Sequence, residues 1–135
     1  MALAPDLVGR TFPATAAYVV TEERVAEFAA ASGTPWSGGP APVTFPIVVA
    51  FQAMLELMAD PSVGIALHRV VHGEQRFRYS RPMVPGDVLT ATLTVESVRS
   101  LGGADVIGTR SEVEDAAGRH VVTAHAVLVH SGEDA

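Results

Sequence analysis

From Leu67 onward, hydrophobic and polar residues alternate. "HGEQRFRYSRPM" sets Gln75, Phe77 and Tyr79 on one side and Arg76, Arg78 and Ser80 on the other, and "VLTATLTVESV" sets Leu89, Ala91, Leu93 and Val95 against Thr90, Thr92, Thr94 and Glu96. A period of two is the signature of a strand with one buried face. "DVIGTRSEVE" and "RHVVTAHAVLVH" supply two more strands, and the short connections "SLGGA" and "DAAG" fold them into an antiparallel meander. Pro85, Gly86 and Asp87 form a turn and not a site, Pro fixing φ and Gly accepting positive φ.

Upstream the period is 3.6. Thr21 precedes "EERVAEFAAASG", a helix with a hydroxyl N-cap, two Glu at the positive end of its dipole and Gly33 as its stop. Val25, Phe28 and Ala29 share its packed face. A second helix is predicted from Phe45 to Ala59, with Thr44 as N-cap and Pro46 tolerated in the first turn. Ile47, Val48, Val49, Phe51, Met54, Leu55, Leu57 and Met58 leave it apolar almost all round, the mark of an enclosed helix, so Val48, Phe51 and Leu55 are expected to be buried. Only Gln52 and Glu56 interrupt it. With a short first strand near Ala14 to Val20, the order is strand, helix, enclosed helix and four long strands. That order predicts an α+β fold, a single domain over residues 1–135 whose antiparallel sheet wraps a central helix.

Composition narrows the chemistry. At 135 residues the chain can bury about two-thirds of its unfolded surface in one core. There is no Cys and all nine basic residues are Arg, so disulfides, thiolate metal sites and Cys nucleophiles are excluded. The net charge of -6 argues against nucleic acid, and the basic cluster Arg76, Arg78 and Arg81 is too small to reverse that. No window approaches the ~20 apolar residues that span a bilayer, and the start "MALAPDLVGR" is no signal peptide. A cytoplasmic protein with no membrane association is expected.

Particular residues then carry a likeness. "LVGRTFP", "EFAAASG", "APVTF", the long "RVVHGEQRFRYSRPMVPGDVLTATLTVESVRS" and "EVEDAAGRHVVTAHAVLV" resemble the hotdog fold of the MaoC-like dehydratases, most of all the actinobacterial HadA and HadC type of (3R)-hydroxyacyl-ACP dehydratase subunit. The resemblance implies a dimer whose sheets continue across the interface, with acyl-ACP or acyl-CoA thioesters entering beside the central helix. It places Thr44, Phe45, Val48 and Gln52 on that helix, and His72, Gln75 and Phe77 on the first long strand, among the expected substrate-binding residues. In catalytic members a loop after the first helix carries an Asp and, about five residues on, a His, which supply the acid-base work of eliminating water from a 3-hydroxyacyl thioester. Here that loop is "TPWSGGPAPVT", with neither residue, and it is shorter than in relatives of the nearest subgroup.

Two functions of different kind follow. One is a non-catalytic subunit paired with a catalytic MaoC-type partner. The other is an autonomous homodimeric enzyme, an acyl thioesterase or pathway-specific dehydratase, using His72 or Glu56. His72 reads either as a ligand of the acyl channel or as a hydrogen-bonded structural His. Glu56 lies deep in the helix, away from the helix-start amides that would bind a thioester carbonyl, so a solvated stripe or dimer contact competes with a catalytic role. Gln75, Phe77 and Tyr79 read as a half-buried strand face or as channel lining. His68, His120, His125 and His130 lack metal-ligand spacing, and neither a metal nor a cofactor is expected.

Overall fold

The computed structural model describes residues 3–131. Its elements run β1 (Tyr18–Val19), α1 (Glu22–Ser32), α2 (Pro46–Ala59), a 3-10 turn (Leu67–Arg69), β2 (Val70–Tyr79), β3 (Val88–Leu101), β4 (Ala104–Asp115) and β5 (His120–Ser131). The caps of α1 are those read from the sequence. Thr21 Oγ1 accepts the Arg24 N–H at 3.1 Å, and Gly33, at φ 71°, turns its own N–H back onto the Ala29 and Ala30 carbonyls.

All strand pairs are antiparallel, in the order β1-β3-β4-β5-β2. The alternating residues of the meander face inward as read: Leu89, Ala91, Leu93 and Val95 meet Ile107, Val113, Val122, Ala126 and Leu128 in one core. Helix α2 lies across β3, β4 and β5 and contributes Val49, Ala53, Met54 and Leu57 to that core. This is a curled antiparallel sheet around a helix, the hotdog arrangement. Gly108 allows one tight spot in it. β3 bulges between Val95 and Ser97, and a Cβ at position 108 would lie 2.5 Å from Ser97 Oγ.

Three expectations need correction. The first strand shrinks to two residues, and at Thr15 the side-chain hydroxyl takes the Ala91 N–H at 3.0 Å in place of a backbone carbonyl. The segment before β1 still follows β3 through single bonds, Phe12 N–H to Leu93 O and Thr15 N–H to Ala91 O, both 2.9 Å. The N-cap of α2 is Phe45, in helical conformation with no side-chain cap, and not Thr44. A helical turn already runs into the helix from Pro42, whose carbonyl accepts the Phe45 N–H at 2.9 Å.

The third correction matters most. Val48 is half-buried, and Phe51 and Leu55 are 43% and 36% exposed. A 14-residue helix on one five-stranded sheet is covered only along the side that touches it, and the buried positions 46, 49, 50, 53, 54, 57 and 58 trace that side at helical spacing. The opposite face carries Phe51 and Leu55 beside Gln52 and Glu56, and within this chain these four lie open.

Candidate functional site

Strand β2 borders the open side. One of its edges pairs with β5 and the other pairs with no strand among the described residues. The register places His72 opposite Leu128, Gln75 opposite Ala126, Phe77 opposite Ala124 and Tyr79 opposite Val122. All four partners are buried, so these β2 residues stand on the concave face that holds α2. His72 joins them because the strand bulges at Gly73, between His72 and Glu74, which makes His72 and Gln75 consecutive on one face. Their side chains are bonded, His72 Nε2 to Gln75 Oε1 at 3.0 Å. The alternation alone left His72 out of this face; the isolated Gly73 within a strand pattern was the available signal.

At the far end of β2, Tyr79 donates its hydroxyl to the Val43 carbonyl at 2.5 Å, tying the strand to the loop that leads into α2. Burial pushes the Tyr79 phenol up to about 12, so it remains a donor. Beside it lies a cavity of about 330 Å³ between Pro40, Ala41 and Val43 on the loop and Tyr79, Ser80 and Arg81 on the strand end. Arg81 gives this wall a charge, but that charge is already matched. Its Nη1 donates to Asp87 Oδ2 at 2.9 Å and its Nη2 to Asp115 Oδ2 at 3.2 Å, a clamp joining three chain segments. Asp115 lies 34 positions from Arg81, which no local pattern could announce.

The loop itself is short and pinned: Trp36 Nε1 donates to the Pro40 carbonyl at 3.0 Å and the Ala41 N–H to Met83 O at 2.8 Å. It holds no carboxylate and no imidazole. The first amides of α2 are engaged as well, Ile47 N–H with Thr44 O at 3.2 Å and Val48 N–H with Phe45 O at 3.0 Å. Polarising a thioester carbonyl needs donors aimed at the developing oxyanion. Pro46 offers none, and the two amides after it are used.

The substrate-binding candidates therefore divide. Phe45 is fully buried in the core, in edge-to-face contact with Phe28 at 5.4 Å, so it shapes the helix start from within. Val48 and Phe77 are half-buried against the core. Thr44, Gln52 and His72 are exposed and Gln75 is half-buried. Glu56 is exposed on the open face of α2, and no hydrogen bond or ion pair joins it to His72 among the described residues. His120 and His125 belong to a charged network on the outer face of the sheet, with Glu112 and Glu96 each 3.4 Å away and Arg110 between the two Glu. Among the described residues no three His, Asp or Glu gather as metal ligands, and no helix is long and apolar enough to cross a membrane.

A curled five-stranded sheet on one helix, with an open edge strand and a cleft at the helix start, defines a hotdog domain of the MaoC-like dehydratase kind. The chain belongs to the family of the FAS1-like dehydratase domain region, whose model matches residues 34–124. It is similar over its whole length to a UPF0336 protein of Clavibacter michiganensis subsp. michiganensis, 46% identical with 100% of both chains covered. That alignment spans 149 positions against 135 residues, so the relative carries residues this chain lacks. A UPF0336 protein of Streptomyces avermitilis is 43% identical over 96% of this chain and 95% of its own. Among solved structures, a chain of the HadBC (3R-hydroxyacyl-ACP dehydratase) complex from Mycobacterium tuberculosis matches with a TM-score of 0.81 and 27% identity, covering 94% of this chain and 99% of that one. A MaoC-like dehydratase matches at 0.76 and 28%, over 96% of this chain and 43% of the other.

Proposed function

We propose that the chain is a thioester-binding subunit of a (3R)-hydroxyacyl-ACP or -CoA dehydratase, without catalysis of its own, which completes the acyl channel of a catalytic MaoC-type partner. The observation that carries this reading is the loop from 34 to 45, which reaches α2 without an Asp or His and leaves the first helix amides occupied. General acid-base catalysis contributes ~10²–10⁴-fold, and nothing at this position can supply it. What the chain does offer is surface. Phe51 and Leu55 form an exposed apolar strip on α2, and the outer edge of β2 pairs with no strand among the described residues. Such an edge is stable when another strand covers it, and a second hotdog chain would do so by continuing the sheet. In that assembly Val48, Gln52, His72, Gln75 and Phe77 face the acyl chain, and Thr44 stands at its entrance.

The His72–Gln75 bond favours one alternative. If Nε2–H donates to Gln75 Oε1, His72 keeps Nδ1 as a base, and a homodimeric enzyme could use it or Glu56, the carboxylate of α2. The experiment is hydration of crotonyl and longer 2-enoyl thioesters, followed by loss of the conjugated-thioester absorbance. The subunit reading requires little or no turnover by the chain alone, activity on co-expression with a catalytic partner, and loss of that activity when the partner's Asp or His is changed. Turnover by the chain alone at ~1 s⁻¹ or more, abolished by His72→Ala, establishes the alternative instead.

A further inference from the structure

Ser80 directly follows β2, is exposed, and is one of the residues lining the cavity of about 330 Å³ at the start of α2. Its hydroxyl lies 2.5 Å from Nδ1 of His120, the half-buried first residue of β5. Behind the imidazole stand two more groups. His120 Nε2 is 2.7 Å from Thr123 Oγ1, and the Thr123 hydroxyl is 3.1 Å from each oxygen of Glu112. Glu112 Oε2 is itself 3.4 Å from His120 Nε2, and Arg110 Nε holds Oε1 at 3.5 Å.

The direction of each proton in this series is fixed from its far end. A carboxylate only accepts, so Thr123 gives its single hydroxyl proton to Glu112. Thr123 Oγ1 can then only accept from the imidazole, which puts the proton of neutral His120 on Nε2. Nδ1 is left with a lone pair, and Ser80 Oγ–H donates to it. A hydroxyl donating to an imidazole whose other nitrogen is oriented by a third group is the arrangement that activates a serine nucleophile. Here the hydroxyl end is open to solvent, while Thr123, in the middle of the series, is 8% exposed.

The surroundings also restrict the acyl donor. The Ser80 and Arg81 N–H groups both point to the Val121 carbonyl, at 2.8 and 3.4 Å, and Pro82 has no N–H to offer. With these amides taken, the hydroxyl has no adjacent backbone donor for an oxyanion, so the donor must bring a good leaving group.

We propose that Ser80 is a nucleophile, activated by His120, that takes short acyl groups from activated esters. Oγ attacks the carbonyl carbon as its proton passes to His120 Nδ1. The bond to the leaving-group oxygen breaks, the leaving group departs as an anion, and an acyl-Ser80 ester remains. Pro40, Ala41, Val43 and Pro82 of the cavity wall receive the hydrocarbon of the acyl group. The activity is acyl transfer to a hydroxyl and not hydration. It uses neither His72 nor Glu56, and it stands whether or not the chain pairs with a catalytic subunit.

The probes are a fluorophosphonate and the p-nitrophenyl esters of acetate and butyrate, applied to the full chain. The fluorophosphonate should add at Ser80 with loss of fluoride, located by peptide mass spectrometry, and butyrate should be transferred to Ser80 faster than acetate. Ser80→Ala removes an exposed hydroxyl, so it should fold as the wild type by circular dichroism and take no label. General base assistance contributes ~10²–10⁴-fold, so His120→Gln should label roughly a hundredfold more slowly, or less. Thr123→Val, which cuts the hydroxyl link from His120 to Glu112, should also label more slowly than wild type. The proposal is overturned if the wild-type chain takes no label at Ser80, or if His120→Gln is labelled at the wild-type rate. Transfer of acetate as fast as butyrate overturns the assignment of the cavity to the acyl group, and a wild-type rate in Thr123→Val overturns the part given to Thr123 and Glu112.

Discussion

Removing the Phe51 ring by Phe51→Ala separates a residue buried by the fold from one buried by association. A core Phe→Ala change costs ~3–5 kcal/mol of folding stability, and Phe45, fully buried, should show it. Phe51 should not, because 43% of it is open in the single chain. With ~200 Å² available on an aromatic side chain, roughly 90 Å² is left to be covered by a partner. At ~25 cal/mol per Å² that is about 2 kcal/mol per subunit. In a two-fold dimer both copies lose it, about 4 kcal/mol, close to three decades in dissociation constant.

The assay is sedimentation or light scattering across a dilution series, with thermal unfolding at two concentrations. The wild-type chain should appear near twice 14.1 kDa at micromolar concentration. Phe51→Ala should dissociate at concentrations up to about a thousandfold higher, and its Tm at micromolar concentration should lie below that of the wild type, whose Tm rises with concentration as mass action requires of a dimer. Phe45→Ala should lower Tm at every concentration. The reasoning is refuted if the wild-type chain is a clean monomer, or if Phe51→Ala unfolds like Phe45→Ala while its dimer dissociates no more readily than wild type.

Gly108→Ala should destabilise the fold by ~1–3 kcal/mol, since the new methyl meets Ser97 Oγ at 2.5 Å, and Ser97→Ala in the same chain should recover most of it; denaturant midpoints for the double-mutant cycle check both. Stability should fall as pH drops below about 6.5, because burial holds His130 low in the folded state and unfolding therefore takes up a proton in that window. The contribution is fully present above the unfolded value of ~6.5 and is lost downward to the folded value, with a slope of at most ~1.4 kcal/mol per pH unit for one proton. In His130→Gln, which keeps an acceptor for the Ala66 N–H that His130 Nε2 accepts at 3.0 Å, urea midpoints should vary less across that range. Arg81→Gln should weaken the joint between the β2 end, the turn at Asp87 and the end of β4, lowering Tm without changing any dissociation constant.

What was legible in the sequence is what a period can carry. The alternation of Leu89, Ala91, Leu93 and Val95 reports which way side chains face on a regular strand, and α1 announced itself through Thr21 and Gly33 because both caps act within a turn. Departures from regularity were not legible. Gly73 shifts the phase of β2 and turns His72 to the same side as Gln75, and Pro42 starts a helical turn that displaces the cap from Thr44 to Phe45. Pairings such as Arg81 with Asp115, or His130 with Ala66, join residues that only the folded sheet brings together.

The central helix shows a further kind of limit. Its apolar circumference was read as that of an enclosed helix, but the period of a helix cannot say what covers each face, and Phe51 and Leu55 lie open. The sheet of this chain covers Val49, Ala53, Met54 and Leu57, and Phe51 and Leu55 lie a third of a turn or more from the middle of that arc. Exposed large apolar side chains on a helix and a long strand edge that pairs with no strand among the described residues are each features that natural proteins tend to cover. On the proposed subunit reading, the residues that failed as core positions are the ones a second chain would cover, and that chain would bring the Asp and His that the loop lacks.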